Sequence, residues 1–270
     1  MIVEYGGRSI RLREDGERPA IILVHGYPLD GAMWSSVARR LSDRFRVLKP
    51  DLPGRVDNPA SPEGSIASYA DFIEALIASA DSAVGLAGFS MGGYVCLELM
   101  KRRPPSVKAL ALVDTRATAD DEGGKANREA AIATVRAEGV GPIAEAMLPK
   151  LLSPEGMKRT DLVERVRRII LRQTPKTIES DLTAMRDRSD STDFLAQLAL
   201  PTLVLAGEHD VISSPAESRA MAQKITGARF LEVAGAGHLT PLEQPAAVAQ
   251  ALGDFFEQSL SRPPKADLRQ

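Results

Sequence analysis

One cysteine in a chain of 270 residues, Cys96, leaves no partner for an intrachain disulfide. Three histidines beside that single thiol are too few for a Cys/His zinc site. Charge of one sign is not in excess either. The 34 Lys and Arg nearly balance 36 Asp and Glu, so there is no electrostatic footprint for nucleic acid or for an anionic membrane. No apolar run approaches the ~18 residues of a membrane span. The opening MIVEYGGRSIRLRED lacks the basic-then-apolar order of a secretory signal. Together these absences set the expectation of a cytoplasmic protein with no nucleic-acid and no membrane partner. Internal repeats and low-complexity segments are absent too, as are the phosphate-cradling patterns G-x-G-x-x-G and G-x-x-x-x-G-K-[ST].

What is present is alternation. Two short β-like runs, IVEY and SIRLR, precede AIILVHG, a continuous apolar run of the kind a strand buried on both faces needs. MWSSVARRLSD then places Met33, Val37 and Leu41 at helical spacing. Strand-like FRVLKPDLPG, helix-like IASYADFIEALIASA, strand-like SAVGLAGFS, helix-like MGGYVCLELMKRR and strand-like VKALALVD follow. Pro104 and Pro105 stop the last of those helices. From 115 to 188 the alternation breaks into helix formers, with helices expected near 124–138, 142–151, 157–173 and 176–187. It resumes with LPTLVLAGEHD, a helix at 215–225, ARFLEVAG and a final helix at about 241–259.

Strands alternating with helices predict an α/β fold, a mostly parallel eight-stranded sheet with helices on both faces. The expected division is a core of 1–114 and 189–260, a helical cap of 115–188 inserted after the sixth strand, and a frayed tail at 261–270. Such a cap would lie over the carboxyl ends of the strands, where open α/β sheets bind ligands.

LAGFSMGG sits where one of these strands should pass into a helix. Gly88-Phe89-Ser90-Met91-Gly92 is G-x-S-x-G in a strand–turn–helix context, the arrangement that lifts a serine hydroxyl clear of a sheet. Residues two before and two after such a serine approach closely, so only small side chains fit. The Met91 N–H, at a helix N-terminus, points toward developing negative charge. A glycine-rich turn with an idle serine is the competing reading, and the partners decide between them.

A serine hydroxyl needs a base, and the base needs an orienting acid. His238, in AGAGHLTPLEQP, follows the last strand and precedes the last helix, at the sheet's carboxyl edge. His209 in GEHD reads as a loop residue pointing away, and His25 as a residue shaping the loop after AIILVHG. Asp210 is the favoured acid. Asp114, ending VKALALVD one strand earlier, is its competitor, with an anchoring role at the root of the cap as the alternative.

HGYPLD, GFSMGG, GEHD and GAGHLTPLEQP together resemble the α/β-hydrolase superfamily over nearly the whole chain. The pattern is most similar to the esterase and lactonase branch that includes 3-oxoadipate enol-lactonases. The chain order Ser90, Asp210, His238 is that family's order. The resemblance implies an α/β-hydrolase fold and an oxyanion hole completed by the Tyr27 N–H beside that of Met91. It departs from the family at DLPGRVDNPAS, where Val56 and Asn58 replace the glycine and serine of D-x-x-G-x-G-x-S.

The implied chemistry is hydrolysis of a carboxylic ester or lactone through an acyl-enzyme, with no cofactor and no metal. A serine at the elbow argues against the dehalogenases and epoxide hydrolases of this fold, which carry aspartate there. A C–C bond hydrolase or cofactor-free lyase on the same triad, and a ligand sensor with a vestigial triad, are the alternatives. Phe89, Met147 and Leu151 are expected to wall the substrate pocket, against ordinary packing inside the cap. Arg116 is expected in an ion pair at the hinge, with a substrate carboxylate as the alternative partner.

Overall fold

The computed structural model describes residues 2–5, 8–11, 14–15, 19–55, 58, 64–80 and 82–260. The tail at 261–270 lies outside the described residues. The strands are β1 (Ile2–Tyr5), β2 (Arg8–Arg11), β3 (Glu14–Asp15), β4 (Ala20–Val24), β5 (Arg46–Leu48), β6 (Val84–Phe89), β7 (Val107–Val113), β8 (Thr202–Gly207) and β9 (Arg229–Val233). Helices α1 (Ser35–Leu41), α2 (Ile66–Ser79) and α3 (Met91–Met100) alternate with the early strands. Then come α4 (Glu122–Glu138), α5 (Gly141–Leu151), α6 (Pro154–Met157), α7 (Thr160–Leu171) and α8 (Pro175–Arg186). The chain closes with α9 (Pro215–Gln223), α10 (Thr240–Glu243) and α11 (Pro245–Leu260).

The expected sheet of eight strands is smaller. Six of the expected strands run parallel in the order β5-β4-β6-β7-β8-β9, with the two-residue β3 added antiparallel to β5 at one edge. IVEY and SIRLR do form strands, but they pair with each other as a separate antiparallel hairpin. Apolarity alone marked them as strands and could not say which sheet they join. The extra strand β3 also makes β7 the seventh in chain order, so the helical segment follows the seventh strand rather than the sixth. That segment holds five helices where four were expected, because Ser153 caps a separate single turn, α6.

The central strands are apolar on both faces because both are covered. Ile21 and Leu23 of β4 join the cluster of Trp34, Val37, Leu252 and Phe256 from α1, α11 and the turn before α1. Ile22 and Val24 alternate to the other face, with Tyr69, Phe72, Val95 and Leu99 from α2 and α3. Because β6 lies mid-sheet, whatever follows its last residue stands at the centre of the carboxyl edge, beside the ends of β4 and β7.

The helices between β7 and β8 are fastened to the rest of the protein by side chains. Asp30, after β4, accepts from Arg172 Nη2 (2.6 Å) and Gln173 Nε2 (3.1 Å) at the end of α7. Buried Arg55 pairs with buried Asp181 of α8 (2.5 Å), and the Tyr69 hydroxyl donates to the same carboxylate (2.7 Å). The Thr177 hydroxyl donates to the Gly54 carbonyl (2.7 Å).

Candidate functional site

Ser90 follows β6 with φ 50° and ψ −116°, a positive φ that disfavours any residue with a side chain. The strain is held from both sides. Ser90 N–H donates to the Val113 carbonyl (2.9 Å), while its own carbonyl accepts from Gly93 N–H (2.8 Å) and the Thr115 hydroxyl (2.7 Å). The turn is tight enough that a Cβ on Gly88 would fall on the Gly92 carbonyl and 2.6 Å from Cys96 Sγ. A Cβ on Gly92 would stand 2.6 Å from the His25 carbonyl. The glycines of G-x-S-x-G are therefore steric necessities of this corner.

Three strand ends supply the remaining groups. His238 lies in the loop after β9, with Nε2 2.9 Å from Ser90 Oγ. Its Nδ1 is 2.8 Å from Asp210 Oδ2, just past β8. All three side chains are buried, Ser90 the most open at 8% exposure. Asp210 is itself held by the Ile212 and Ser213 amides on Oδ1 (2.7 and 3.0 Å) and the Ser213 hydroxyl on Oδ2 (3.0 Å). Burial opposes its ionisation, but the His238 charge and hydrogen bond, with the two amides, outweigh it. The carboxyl rests below the usual range.

The competing acid is accounted for. Asp114 is fully buried, accepting from Gly207 N–H (2.9 Å) and the Thr240 hydroxyl (2.5 Å), with no bond to His238. Burial and the neighbouring Asp210 charge push its carboxyl well above the usual range. It thus joins β7, β8 and α10 behind the histidine. His25 accepts from Leu52 N–H at Nε2 (3.0 Å), and burial holds its pKa well below the ordinary histidine value. His209 is partly exposed, with Glu208 at 3.9 Å.

The loop after β4 runs alongside the elbow. A Cβ on Gly26 would lie 3.0 Å from Ser90 Cβ and 2.8 Å from the Phe89 carbonyl. Neither the Tyr27 amide, in this loop, nor the Met91 amide, directly after Ser90, donates to a described residue.

The expected pocket residues separate. Phe89 has no exposed surface; it packs on the imidazole of His238 (5.0 Å between centroids) and edge-on to Trp34 (6.4 Å). Leu151 is also fully buried, and its carbonyl accepts from Leu239 N–H (2.9 Å). Met147 is half-buried and packs against both apolar clusters. Arg116 makes no ion pair, against expectation, and its Nε is buried without a partner among the described residues. It lines a separate cavity of about 220 Å³ with Tyr94, Glu98 and Arg188, and none of Ser90, Asp210 and His238 borders that space. Among the described residues no three His, Cys, Asp or Glu side chains converge as a metal site, and no described helix is long and apolar enough to cross a membrane.

In the atypical DLPGRVDNPAS loop, Asn58, standing where the pattern has serine, donates its amide to the Asp51 carbonyl (2.9 Å), and Arg55 turns inward to Asp181. Val56 lies outside the described residues. Sequence reasoning missed Ser213 and Thr240, the hydroxyls bonded to Asp210 and Asp114.

Residues 21–251 match the alpha/beta hydrolase family, and the chain belongs to that family. It superposes on a thermophilic esterase from Thermogutta terrifontis with TM-score 0.90 and 35% identity, covering 96% of this chain and 98% of that one. For the enol-lactonase from Burkholderia xenovorans LB400 the values are 0.86 and 26%, covering 95% and 100%. Among curated proteins it is 28% identical over 248 residues to the pimeloyl-[acyl-carrier protein] methyl ester esterase of Neisseria meningitidis, covering 89% of this chain and 93% of the relative. It also matches polyketide synthase ThaQ of Burkholderia thailandensis, of which it spans only 12%.

Proposed function

We propose that the protein is a serine hydrolase that cleaves a carboxylic ester or lactone through an acyl-enzyme. The observation that carries this is the unbroken relay from Ser90 Oγ to His238 (2.9 Å) to Asp210 (2.8 Å), set on a strained elbow at the centre of the sheet edge. Kinship with an esterase and an enol-lactonase supports the substrate class.

In this reading His238 Nε2 takes the Ser90 proton as Oγ attacks the carbonyl carbon. The Tyr27 and Met91 amides hold the oxyanion, and Asp210 fixes the imidazole tautomer and offsets its positive charge. His238 returns the proton to the leaving alkoxide, which departs as an alcohol, or stays tethered in a lactone. Water then attacks the acyl-enzyme, giving its proton to His238, and Ser90 is regenerated with release of the acid. Every group this needs comes from the chain, so neither cofactor nor metal enters the scheme. Residues 115–188 act as the cap over this site, excluding water and selecting acyl groups by shape. The lone buried thiol accords with a cytoplasmic location.

Ser90→Ala is the direct test. It should fold and lose on the order of 10⁶ in turnover on p-nitrophenyl esters. An organophosphorus probe should label the unsubstituted protein at Ser90 alone. Labelling elsewhere, with hydrolysis surviving in the variant, would overturn the assignment.

A further inference from the structure

Glu243 ends α10, one turn beyond His238, and its side chain is buried at 5% exposure. Removing a carboxylate from water is costly unless a counter-charge or several donors replace the lost hydration. Here there is no ion pair among the described residues, and donors do all of it. Oε1 accepts from Gly237 N–H (2.7 Å). Oε2 accepts from both the Ser153 N–H (3.0 Å) and its hydroxyl (2.5 Å).

Those donors come from two different places. Gly237 immediately precedes His238, whereas Ser153 stands at the junction of α5 and α6, within the helical segment proposed as the cap. On the other side of the histidine, Leu239 N–H donates to the Leu151 carbonyl at the end of α5 (2.9 Å). Both chain neighbours of His238 are therefore tied to residues 151–153, one directly and one through Glu243. The approach is close: a Cβ on Gly237 would lie 2.5 Å from the Ser153 nitrogen. The ring bonds to Asp210 and Ser90 orient the imidazole, but these main-chain ties set where its backbone stands.

We propose that Glu243 is a positioning residue that, by bridging Gly237 and Ser153, sets the His238 imidazole against Ser90 and Asp210 and makes the α5–α6 junction part of the catalytic unit. This rests on the reading of Ser90, His238 and Asp210 as a triad. One consequence is that a substrate pressing on α5 is felt at the base, through a bridge of three hydrogen bonds.

Glu243→Gln is nearly isosteric but leaves one acceptor oxygen for donors on two sides, and its amide must face an N–H. Two readouts separate positioning from simple support of the fold. With ¹⁵N-labelled histidine, and only three histidines to resolve, the ring nitrogens of His238 report its tautomer without any substrate. The unsubstituted protein should show the Nδ1–H form imposed by Asp210, and Glu243→Gln a mixture with Nε2–H, its circular dichroism unchanged. In parallel, kcat per probe-titrated site should fall ~10- to 100-fold, with KM within about twofold. The acid limb of the kcat profile should move as well. Ser153→Ala, which removes one of the three donors, should give smaller changes in the same direction, and it carries the test if Glu243→Gln does not fold. A folded variant that keeps the parental tautomer, kcat per site and pH limb overturns the proposal. Absence of ester turnover and of labelling at Ser90 in the unsubstituted protein would instead overturn the triad reading, while the tautomer measurement still judges Glu243.

Discussion

Two aspartates end neighbouring strands, and their surroundings give them opposite properties. Asp210 is held below the ordinary carboxylate range, so it is ionised at neutral pH and stays so into the acid range. The acid limb of kcat/KM should therefore carry no second proton from Asp210. A two-proton slope in kcat/KM would contradict this. Asp210→Asn should cost on the order of 10⁴ in kcat by favouring the wrong tautomer; Asp114→Asn should stay within about tenfold, since Asp114 touches no triad atom. If the Asp114 variant is the inactive one, the acid has been misassigned. Stability separates them again. A carboxyl whose folded pKa is raised stabilises below its unfolded value, ~3.9, and loses that contribution as pH rises through the folded value. Asp114→Asn should therefore gain on the parent in Tm as pH rises above ~4, and parallel curves would contradict the burial-driven shift. Ser90, Asp210 and His238 were legible because each sits in a short glycine-flanked or strand-end motif. Ser213, Thr240 and Glu243 were not, because a side chain that bonds a carboxylate from another element leaves no periodic trace.

At the level of elements, helix period found α4, α5, α7 and α8 within a few residues, since each buries one stripe. It did not separate α6, a single capped turn too short to show a period. Periodicity also could not say which stripe meets substrate and which meets another helix. Met147 and Leu151 lie one turn apart on α5, yet Leu151 is fully enclosed and Met147 half-open. Leu151→Trp should cost ~1–3 kcal/mol of stability by overpacking, with the acyl preference of the surviving enzyme unchanged. Met147→Trp should leave Tm nearly unaltered and shift preference toward shorter acyl chains across a p-nitrophenyl ester series. The converse pattern would place Leu151, not Met147, at the pocket. What ties the loop after β5 to the inserted helices was equally hidden in sequence. Arg55 is committed to Asp181, far along the chain on α8, with Tyr69 sharing the carboxylate. Asp181→Ala strands a buried guanidinium and should cost ~3–5 kcal/mol in urea unfolding.

The molecule as a whole is a six-stranded parallel sheet with a minor antiparallel edge, and the order of its central strands decides where chemistry can sit. Alternation in the sequence made the parallel sheet and the inserted helices legible. Strand membership was not, because pairing partners are chosen by tertiary packing, and the opening hairpin folds on itself. The inserted helices are fastened through Asp30, Arg55, Thr177 and Glu243, four buried or part-buried ties spread along the seam. They should accordingly unfold with the sheet. Near-UV and far-UV circular dichroism should give coincident thermal transitions, and an early separate loss of helix would contradict a fastened cap.

The twist of the backbone at Ser90 has an implication for how the position could change over generations. A positive φ taxes every residue except glycine, and here it is imposed by clamps from Val113, Gly93 and Thr115 that exist whatever side chain is present. Ser90→Ala and Ser90→Gly remove the same hydroxyl, but only the glycine also sheds the steric conflict, by ~1 kcal/mol or more. The glycine variant should melt above the alanine variant despite glycine's freer unfolded chain. Selection for stability alone would then drift this corner toward a fourth glycine, so a serine persists there only while its hydroxyl is in use.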